Sequence, residues 1–373
     1  MESFSFIKCP CCQGGEHFRD NLQICKQEDF FVCLECGVMG DTNELISYEL
    51  KSPLKNFQAN QVAQEAFSKQ KGEKFYSYLK QRGINEERVN RFNLSYASNE
   101  KPLLSLASQN NNLFDLFEEN HLIQTINPNN IYETFRNRLM FPIKNHLGLI
   151  AGFGGRVLEE GGTPKYLNSQ QSPAFNKSDI LYGLHENKRF IEEKNEAFIF
   201  EGYMDVVSCA SKGVSNCVAT MGISISKSQM FNLSRITSNA TFIYDGDNAG
   251  RKAMRSALLS VLANHPSPQS TSYSFLPEGM DPDDLVKSSP GLFLHTIEKN
   301  KLTFNEFLAL IFEEDLSNGI PLTETNTLLE KEIKKNQYVK AKATVLGILC
   351  DREYKSPLIE SDNKTDLIHR IGG

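Results

Sequence analysis

The sequence contains no run of eighteen apolar residues, so we expect no helix that spans a membrane. The first ten residues, MESFSFIKCP, also lack the basic start and apolar core that a secretion signal requires. Together these absences indicate neither a membrane protein nor a secreted one. We therefore expect a cytoplasmic protein with no membrane partner.

Two common phosphate-binding motifs are absent as well. No Gly-Lys dipeptide occurs, which argues against a phosphate loop and against a fused helicase. The glycine-rich stretch AGFGGR, at 151–156, lacks the GxGxxG spacing and a following helix, so a dinucleotide site is not expected. Nucleotide chemistry, if present, has to rest on other residues.

The cysteines form two pairs with metal-ligand spacing. In a chain expected to stay inside the cell, nine cysteines indicate metal ligands and buried thiols rather than disulfides. Cys9 and Cys12 form one CxxC pair, and Cys33 and Cys36 form the other. Four thiolates can close a tetrahedral shell around one zinc ion. Cys11 lies beside Cys12, so the sequence leaves open which of the two is the second zinc ligand of the first pair.

The formal net charge of −6 does not favour a nucleic-acid partner by itself. Phosphate binding depends on local charge, however, and between residues 136 and 177 six basic residues stand against two glutamates. A local basic surface is therefore compatible with the acidic total.

Hydrophobic periodicity predicts a multidomain chain that combines a small β domain, a mixed α/β core and a helical end. The β domain should occupy 1–50, and the polar, Gln- and Asn-rich segment 51–68 should be a linker that becomes helical toward its end. Helices and then a small sheet should fill 69–190. Strand–helix alternation over 191–290 predicts a parallel sheet, and 291–373 should be α-helical.

Acidic residues follow three of the predicted strands in the 191–290 segment. Glu201 and Asp205 follow AFIF, Asp245 and Asp247 follow TFIY, and Asp281, Asp283 and Asp284 follow SYSF after a short loop. Because parallel strands end at one edge of a sheet, we expect the three groups to converge and to hold Mg²⁺ or Mn²⁺. The alternative is that the acids only cap helices.

These motifs resemble those of bacterial DnaG-type primases and their phage relatives. EGYMD, YDGDNAGRKA and DPDD are similar to the three motifs of that family's Toprim fold, and FVCLECGVMGD is similar to half of its zinc ribbon. FRNRLMFPIKNHLGLIAGFGGRVL, PKYLNS and LYGL resemble the segment that precedes Toprim. The resemblance implies a template-binding zinc ribbon over 1–50, the N-terminal part of an RNA-polymerase domain with a basic cleft over 69–190, and a Toprim subdomain over 191–290.

The resemblance also implies roles for individual residues. It makes Glu201, Asp245 and Asp247 catalytic, with Asp245 and Asp247 as the principal magnesium ligands and Glu201 as either a magnesium ligand or a proton-transfer group. It makes Asp205, Asp281 and Asp283 further magnesium ligands, and Cys9, Cys12, Cys33 and Cys36 ligands of one zinc ion. It assigns template or nucleotide binding to five residues, namely Arg136, Arg138, Arg156, Lys165 and Asn168.

The implied activity is synthesis of short RNA primers on single-stranded DNA from nucleoside triphosphates, with a separate replicative helicase as partner. The chain departs from the usual cellular enzymes in having Cys12 where a histidine is common, and its C-terminal part is too short for their helicase-binding domain. A phage or mobile-element origin is therefore a hypothesis. Two alternatives stay open: a Toprim-type nuclease or topoisomerase-like enzyme, and a non-catalytic DNA-binding relative.

Overall fold

The computed structural model describes residues 4–7, 22–25, 30–33, 39–40, 54–159, 161–222, 224–264 and 270–317. It divides into two compact units, Met1–Glu186 and Asn187–Gly373. Within the described ranges, every helix is too short or too polar to cross a bilayer.

The first unit begins with four short antiparallel strands: β1 (Phe4–Ile7), β2 (Leu22–Cys25), β3 (Phe30–Cys33) and β4 (Met39–Gly40). Cys33 closes β3 and is fully buried. The other three predicted zinc ligands, Cys9, Cys12 and Cys36, lie outside the described residues, as does Cys11. The zinc site therefore stays a prediction.

The rest of the first unit contains helices and a second antiparallel sheet. The helices are α1 (Leu54–Ser68), α2 (Glu73–Gln81), α3 (Glu86–Arg91), α4 (Pro102–Ala107) and α5 (Asn111–Glu119). The sheet has the order β10-β9-β8-β5, formed by β5 (Ser95–Ala97), β8 (Arg138–Lys144), β9 (Ile150–Val157) and β10 (Tyr166–Asn168), and β6 (Ile123–Asn127) and β7 (Asn130–Glu133) make a hairpin. The small sheet predicted after helices within 69–190 is thus observed. Its core contains Phe67, Phe117, Phe135 and Phe153.

Helix α1 corrects the prediction that 51–68 is a linker helical only toward its end, since almost the whole segment is helical. The helix begins at Leu54, and its small or aromatic residues Ala59, Ala63 and Phe67 are buried at helical spacing. The side-chain amides of Asn60 and Gln64 on this helix are buried too. Asn60 Nδ2 donates to the carbonyls of Ile150 and Ala151 at 3.0 and 2.7 Å.

Further amide bonds hold α1 against its neighbours. Asn120 Nδ2 donates to Asn60 Oδ1 at 2.8 Å, and Gln64 Nε2 donates to the Asn93 carbonyl at 2.6 Å. The Gln and Asn composition suggested a solvated linker. In the fold, however, the buried side-chain amides of Asn60 and Gln64 have hydrogen-bond partners, which removes most of the free-energy cost of burying them.

The second unit is built on one sheet of order β12-β11-β13-β14-β15. The strands are β11 (Ala197–Phe200), β12 (Cys217–Ala219), β13 (Ala240–Tyr244), β14 (Thr271–Phe275) and β15 (Lys301–Thr303). All pairs are parallel except β14 with β15. The predicted strands AFIF, TFIY and SYSF are therefore present in β11, β13 and β14, with the parallel pairing that strand–helix alternation indicated.

Helices connect and extend this sheet: α6 (Leu184–Lys194), α7 (Tyr203–Ser211), α8 (Lys227–Ser234), α9 (Asn248–Asn264), α10 (Pro282–Ser288), α11 (Pro290–Lys299) and α12 (Phe304–Ser317). A short 3₁₀ helix, Lys177–Asp179, precedes α6. The C-terminal part that was predicted to be helical is interrupted by strand β15, which pairs antiparallel with β14 at the edge of the sheet. Residues 318–373 lie outside the described ranges.

Candidate active site

Three strands of the second sheet carry acidic residues just beyond their carboxyl ends. Glu201 follows β11 directly, and Asp205 lies in the first turn of α7. Asp245 follows β13, and Asp281 precedes α10 in the segment after β14. Because β11, β13 and β14 are parallel neighbours, the three groups start from one edge of the sheet.

Two of these acids cap helices, as the alternative interpretation proposed. Asp247 Oδ1 accepts from the Gly250 amide at 2.7 Å, and Asp281 Oδ1 accepts from the Asp284 amide at 2.7 Å. Each cap uses one carboxylate oxygen. The capping role and a ligand role can therefore coexist in the same side chain.

Glycine at 246 lets two of the acidic loops approach each other. A Cβ atom there would lie 2.2 Å from the Leu276 carbonyl oxygen and 3.1 Å from the Glu278 amide nitrogen. No side chain fits without moving main-chain atoms. Gly246 therefore permits close contact between the loop after β13 and the loop after β14.

Gly202 and Gly250 also lie against functional backbone. A Cβ on Gly202 would meet Asp205 Oδ2 at 2.7 Å, and one on Gly250 would meet the Asp245 carbonyl oxygen at 2.1 Å. A glycine beside an acid can also serve to let the backbone turn sharply. The structure gives a different reason for Gly202, whose φ is −106°, since what matters there is space beside Asp205.

Electrostatic coupling links acids from different loops. Desolvation raises the pKa of Asp205 well above its ordinary value, repulsion from Asp281, Asp245 and Asp283 raises it further, and a hydrogen bond from the Gly202 amide opposes the shift. Such repulsion requires the acids of the first motif to lie near those of the other two.

The same coupling includes the remaining two predicted acids. Desolvation, then Asp281 and Asp247, raise the pKa of Asp245 to about 6. Desolvation, then Asp245 and Asp247, raise the pKa of Glu201. All six predicted acids thus belong to one mutually repelling group.

The tightest oxygen cluster lies in the third motif. Within the described residues, Asp281, Asp283 and Asp284 each offer a carboxylate oxygen, and these oxygens lie within 4.8 Å of one another. Asp284 belongs to the acidic group expected at this edge, although the resemblance did not name it as a magnesium ligand. Asp283 is buried, and its Oδ2 accepts from Lys287 Nζ at 2.6 Å. A lysine therefore already compensates part of this cluster's charge.

The donor set fits a hard divalent cation. It consists of carboxylate oxygens alone, and their mutual repulsion would fall if a cation lay among them. Soft metals that select thiolate ligands are not favoured by it.

The predicted nucleotide-binding residues lie in the first unit and differ in exposure. Arg136 is exposed, with its guanidinium carbon 5.0 Å from the Tyr132 ring centroid. Arg138 is only 7% exposed, and its Nη1 donates to the carbonyls of Gly155 and Pro164 at 3.2 and 2.9 Å. The structure therefore gives Arg138 main-chain contacts that its sequence motif did not indicate.

The other three predicted residues lie on or beside β9 and β10. Arg156 is half-buried beside the rings of Tyr78 and Tyr166, and it donates from Nη1 to the Tyr166 hydroxyl. Lys165 is exposed. Asn168 Oδ1 is buried and accepts no hydrogen bond from the residues that the structure describes. Sequence reasoning missed the tyrosines, because Tyr78 fits the ordinary apolar spacing of helix α2.

Comparison with known proteins identifies both units. Residues 62–188 match the family described as "DNA primase catalytic core, N-terminal domain", and residues 198–286 match the Toprim-like family. The DNA primase of Pseudomonas aeruginosa is 40% identical over 214 residues, which is 57% of this chain and 32% of that protein. The chain thus spans about a third of the length of that relative.

Solved structures extend the similarity over more of the chain. A DnaG primase catalytic domain bound to single-stranded DNA is 31% identical, with a TM-score of 0.67 over 79% of this chain and 97% of that one. The zinc-binding and RNA-polymerase domains of the Aquifex aeolicus primase are 25% identical, with a TM-score of 0.64 over 92% of this chain and 90% of that one. The chain therefore belongs to the DnaG-type DNA primase family, and its mixed α/β core with a Toprim-like sheet is the catalytic core of that family.

Proposed function

We propose that this protein is a DNA primase that joins ribonucleotides into short primers on a single-stranded DNA template. The observation that carries the proposal is the placement of acids from three loops, far apart in sequence, at the carboxyl ends of the neighbouring parallel strands β11, β13 and β14, where they repel one another. A purely structural set of helix caps gives no reason for such crowding. Membership of the primase family supplies the reaction class.

The acids would hold Mg²⁺ or Mn²⁺, with Glu201, Asp245, Asp247 and Asp281 as ligands beside Asp205 and Asp283. When bound, the cation would neutralise charge that develops on the reacting phosphate. Asp205 accepts the Gly202 amide, so its carboxylate is held in place before any ligand arrives. Asp283 is fixed by Lys287, which restricts the number of oxygens it can offer.

Glu201 is proposed to handle a proton. Its raised pKa makes its carboxylate a stronger base than an ordinary glutamate, and it is exposed at the end of β11. A carboxylate oxygen of Glu201 would accept the proton of the primer 3′-hydroxyl. The hydroxyl oxygen would meanwhile attack the α-phosphate of the incoming nucleoside triphosphate. Pyrophosphate would be the leaving group.

The basic residues of the first unit are proposed to hold phosphates. Arg136, Arg156 and Lys165 would contact template or nucleotide phosphates, because each carries a fixed positive charge at a solvent-accessible place. For Arg138 the same role would require the guanidinium nitrogens other than Nη1. Asn168 Oδ1 would accept from a base or a sugar.

A zinc ribbon over 1–50 is proposed to bind the template, with Cys9, Cys12, Cys33 and Cys36 around one zinc ion. The burial of Cys33 at the end of β3 fits a thiol directed into the domain rather than to solvent. The Aquifex structure, which contains zinc-binding and polymerase domains, supports this assignment by similarity. Purified Cys33→Ser should release less zinc than the wild type in a colorimetric assay after denaturation, whereas the control Cys217→Ser should release as much as the wild type.

We further propose a helical C-terminal portion over 291–373, interrupted by β15, and a separate replicative helicase as partner. The bacterial relatives support activity in the bacterial cytoplasm. A phage origin remains a hypothesis.

The function is tested by incubating the protein with single-stranded DNA, Mg²⁺ and labelled ribonucleoside triphosphates. We expect labelled RNA oligonucleotides that require the template and disappear with EDTA. Asp245→Asn should abolish them, whereas Asp115→Asn, an exposed acid on α5, should not. Nicked DNA without labelled product would instead indicate a nuclease, and no activity with unchanged DNA would leave only a binding role.

A further inference from the structure

The chain that follows β12 continues to hydrogen-bond to the end of β11, where Glu201 lies. Strands β11 and β12 pair in parallel. Beyond the paired residues, the Thr220 amide donates to the Phe200 carbonyl at 3.0 Å, and the Gly222 amide donates to the Glu201 carbonyl at 3.0 Å. Residues 220–222, which we call the β12 loop, therefore contact the main chain of a proposed catalytic residue.

The second of these bonds is out of step with a regular parallel ladder. In such a ladder the donors and acceptors advance by two residues on both strands. After the bond from Thr220 to Phe200, the next donor, Gly222, would therefore meet the carbonyl of Gly202. It meets the carbonyl of Glu201 instead. The β12 loop thus leaves the strand direction and binds a residue one position earlier.

Two consecutive left-handed residues turn the chain at this point. Met221 has φ +64° and Gly222 has φ +81°. Glycine adopts this conformation freely, but it is unfavourable for methionine, because Cβ then lies too close to the following carbonyl oxygen. Met221 is also only 3% exposed, so the surrounding protein packs against its side chain. Backbone strain of this kind persists only where the rest of the structure imposes it.

Helix termination does not explain the conformation of Met221. Among the described residues, six other than glycine have positive φ, and Met221 is the only apolar one. Three of the others lie within two residues of a helix end, where a left-handed residue commonly terminates the helix: Asn93 after α3, His121 after α5 and Asn195 after α6. Met221 follows a strand and lies beside an acidic loop of the candidate active site, and strained residues cluster at such sites.

The main-chain unit that the β12 loop holds also binds a second acid. The carbonyl of Glu201 and the amide of Gly202 belong to one peptide unit, which is planar. The carbonyl accepts from Gly222, and the amide donates to the Asp205 carboxylate. Any rotation of this unit would therefore move the acceptor and the donor together. Because fixing the unit also fixes the ψ angle of Glu201, one peptide determines where both acids lie.

We propose that Met221 and Gly222 are positioning residues that align two acids of the site for cation binding. Their left-handed turn fixes the peptide after Glu201, and that peptide holds Asp205. The proposal rests on the proposed function, in which both acids belong to the metal site. Neither Met221 nor Gly222 needs to touch substrate, since both act through the main chain. A loop that only connected β12 to α8 would need neither a strained methionine nor the bond to Glu201.

Two glycines with the same backbone conformation provide a matched pair of variants. Gly222 has φ +81°, and Gly213, beyond the C-terminal end of α7, has φ +89°. Among the described residues, a Cβ at either position would meet no atom within 4 Å, so alanine adds backbone strain without overlap. Gly222→Ala and Gly213→Ala should therefore lower the midpoint of urea denaturation by similar amounts. Only Gly222→Ala should weaken Mn²⁺ binding, followed by electron paramagnetic resonance, by roughly tenfold.

Two isomeric side chains test Met221 at nearly constant volume. Leucine and isoleucine both keep an apolar side chain of similar size at this buried position. The β-branched isoleucine tolerates positive φ least. Met221→Ile should therefore weaken Mn²⁺ binding more than Met221→Leu. In primer synthesis its loss should appear in kcat rather than in the KM for nucleotides, because alignment of the acids is what changes.

Metal affinity decides the proposal. Equal Mn²⁺ affinities in Gly222→Ala and Gly213→Ala would overturn it, and so would a wild type that binds no Mn²⁺. If Met221→Ile binds Mn²⁺ as tightly as Met221→Leu, the role of Met221 is refuted. A wild type that binds Mn²⁺ but makes no primers would refute the proposed function alone, because metal affinity is measured without catalysis.

Discussion

Replacing Gly246 by alanine should separate two loops of the candidate active site. The new Cβ would lie 2.2 Å from the Leu276 carbonyl oxygen, about 1 Å closer than an ordinary carbon–oxygen contact. Both contacting groups are main chain, so a rotamer change cannot relieve the overlap. The loop bearing Asp245 must therefore move away from the loop after β14, by roughly 1 Å.

A displacement of that size should affect stability and catalysis differently. Overpacking of this kind should lower the free energy of unfolding by about 1–3 kcal/mol. A shift of about 1 Å in the acids should lower the rate of primer synthesis by roughly a hundredfold, because reacting groups need close alignment.

The assays are urea denaturation and template-dependent incorporation of labelled nucleotides at saturating Mg²⁺. Gly291→Ala is the control, since its nearest neighbour would be Ser289 Oγ at 3.7 Å. Wild-type rate and stability in Gly246→Ala would refute the claim that close loop contact builds the site.

Three other changes test separate parts of the account. Asn60→Leu removes the two hydrogen bonds to β9 carbonyls, so urea denaturation should show that the free energy of unfolding falls by about 2–4 kcal/mol. Gln61→Leu, on the exposed side of α1, should change this free energy little. Equal effects of the two variants would contradict a buried role for Asn60. In EDTA, the free energy of unfolding should fall as the pH rises from about 4 to about 6, because folded Asp245 keeps its proton up to a pKa of about 6 and the unfolded chain does not. Asp245→Asn should flatten this pH profile. An unchanged slope in that variant would show that the pKa of Asp245 is not raised by folding. Lys287→Met leaves buried Asp283 without its cation and should lower the unfolding free energy by about 1–3 kcal/mol, and an unaltered denaturation midpoint would show that the ion pair contributes nothing.

Periodicity predicted the parallel strands because their residues are almost uniformly apolar. AFIF and TFIY are buried along their whole length, so neither strand has a polar side that could hide the pattern. The positions of Glu201, Asp245 and Asp281 followed from that, since each lies after a strand. The same reasoning could not reveal that Gly246 contacts Leu276, because main-chain approach between loops leaves no trace in composition.

Helix α1 was predicted only toward the end of the 51–68 segment, because its polar residues are internal and made its earlier part resemble a linker. Asn60 and Gln64 find acceptors on β9 and at Asn93, which are distant in sequence. Arg138 shows the converse case, since a motif that indicated phosphate contact also places its guanidinium on two main-chain carbonyls. Composition reports polarity, but only the fold determines whether that polarity faces water, a ligand or the protein itself.

The most direct test measures divalent-cation affinity across the three acidic loops. Mn²⁺ binding, followed by electron paramagnetic resonance, should be weakened by Glu201→Gln, Asp245→Asn and Asp281→Asn, each taken singly. Combining any two should cost less than the sum of the single losses, because both act on one site. Three independent losses, or unchanged binding in any of the variants, would contradict a shared metal site.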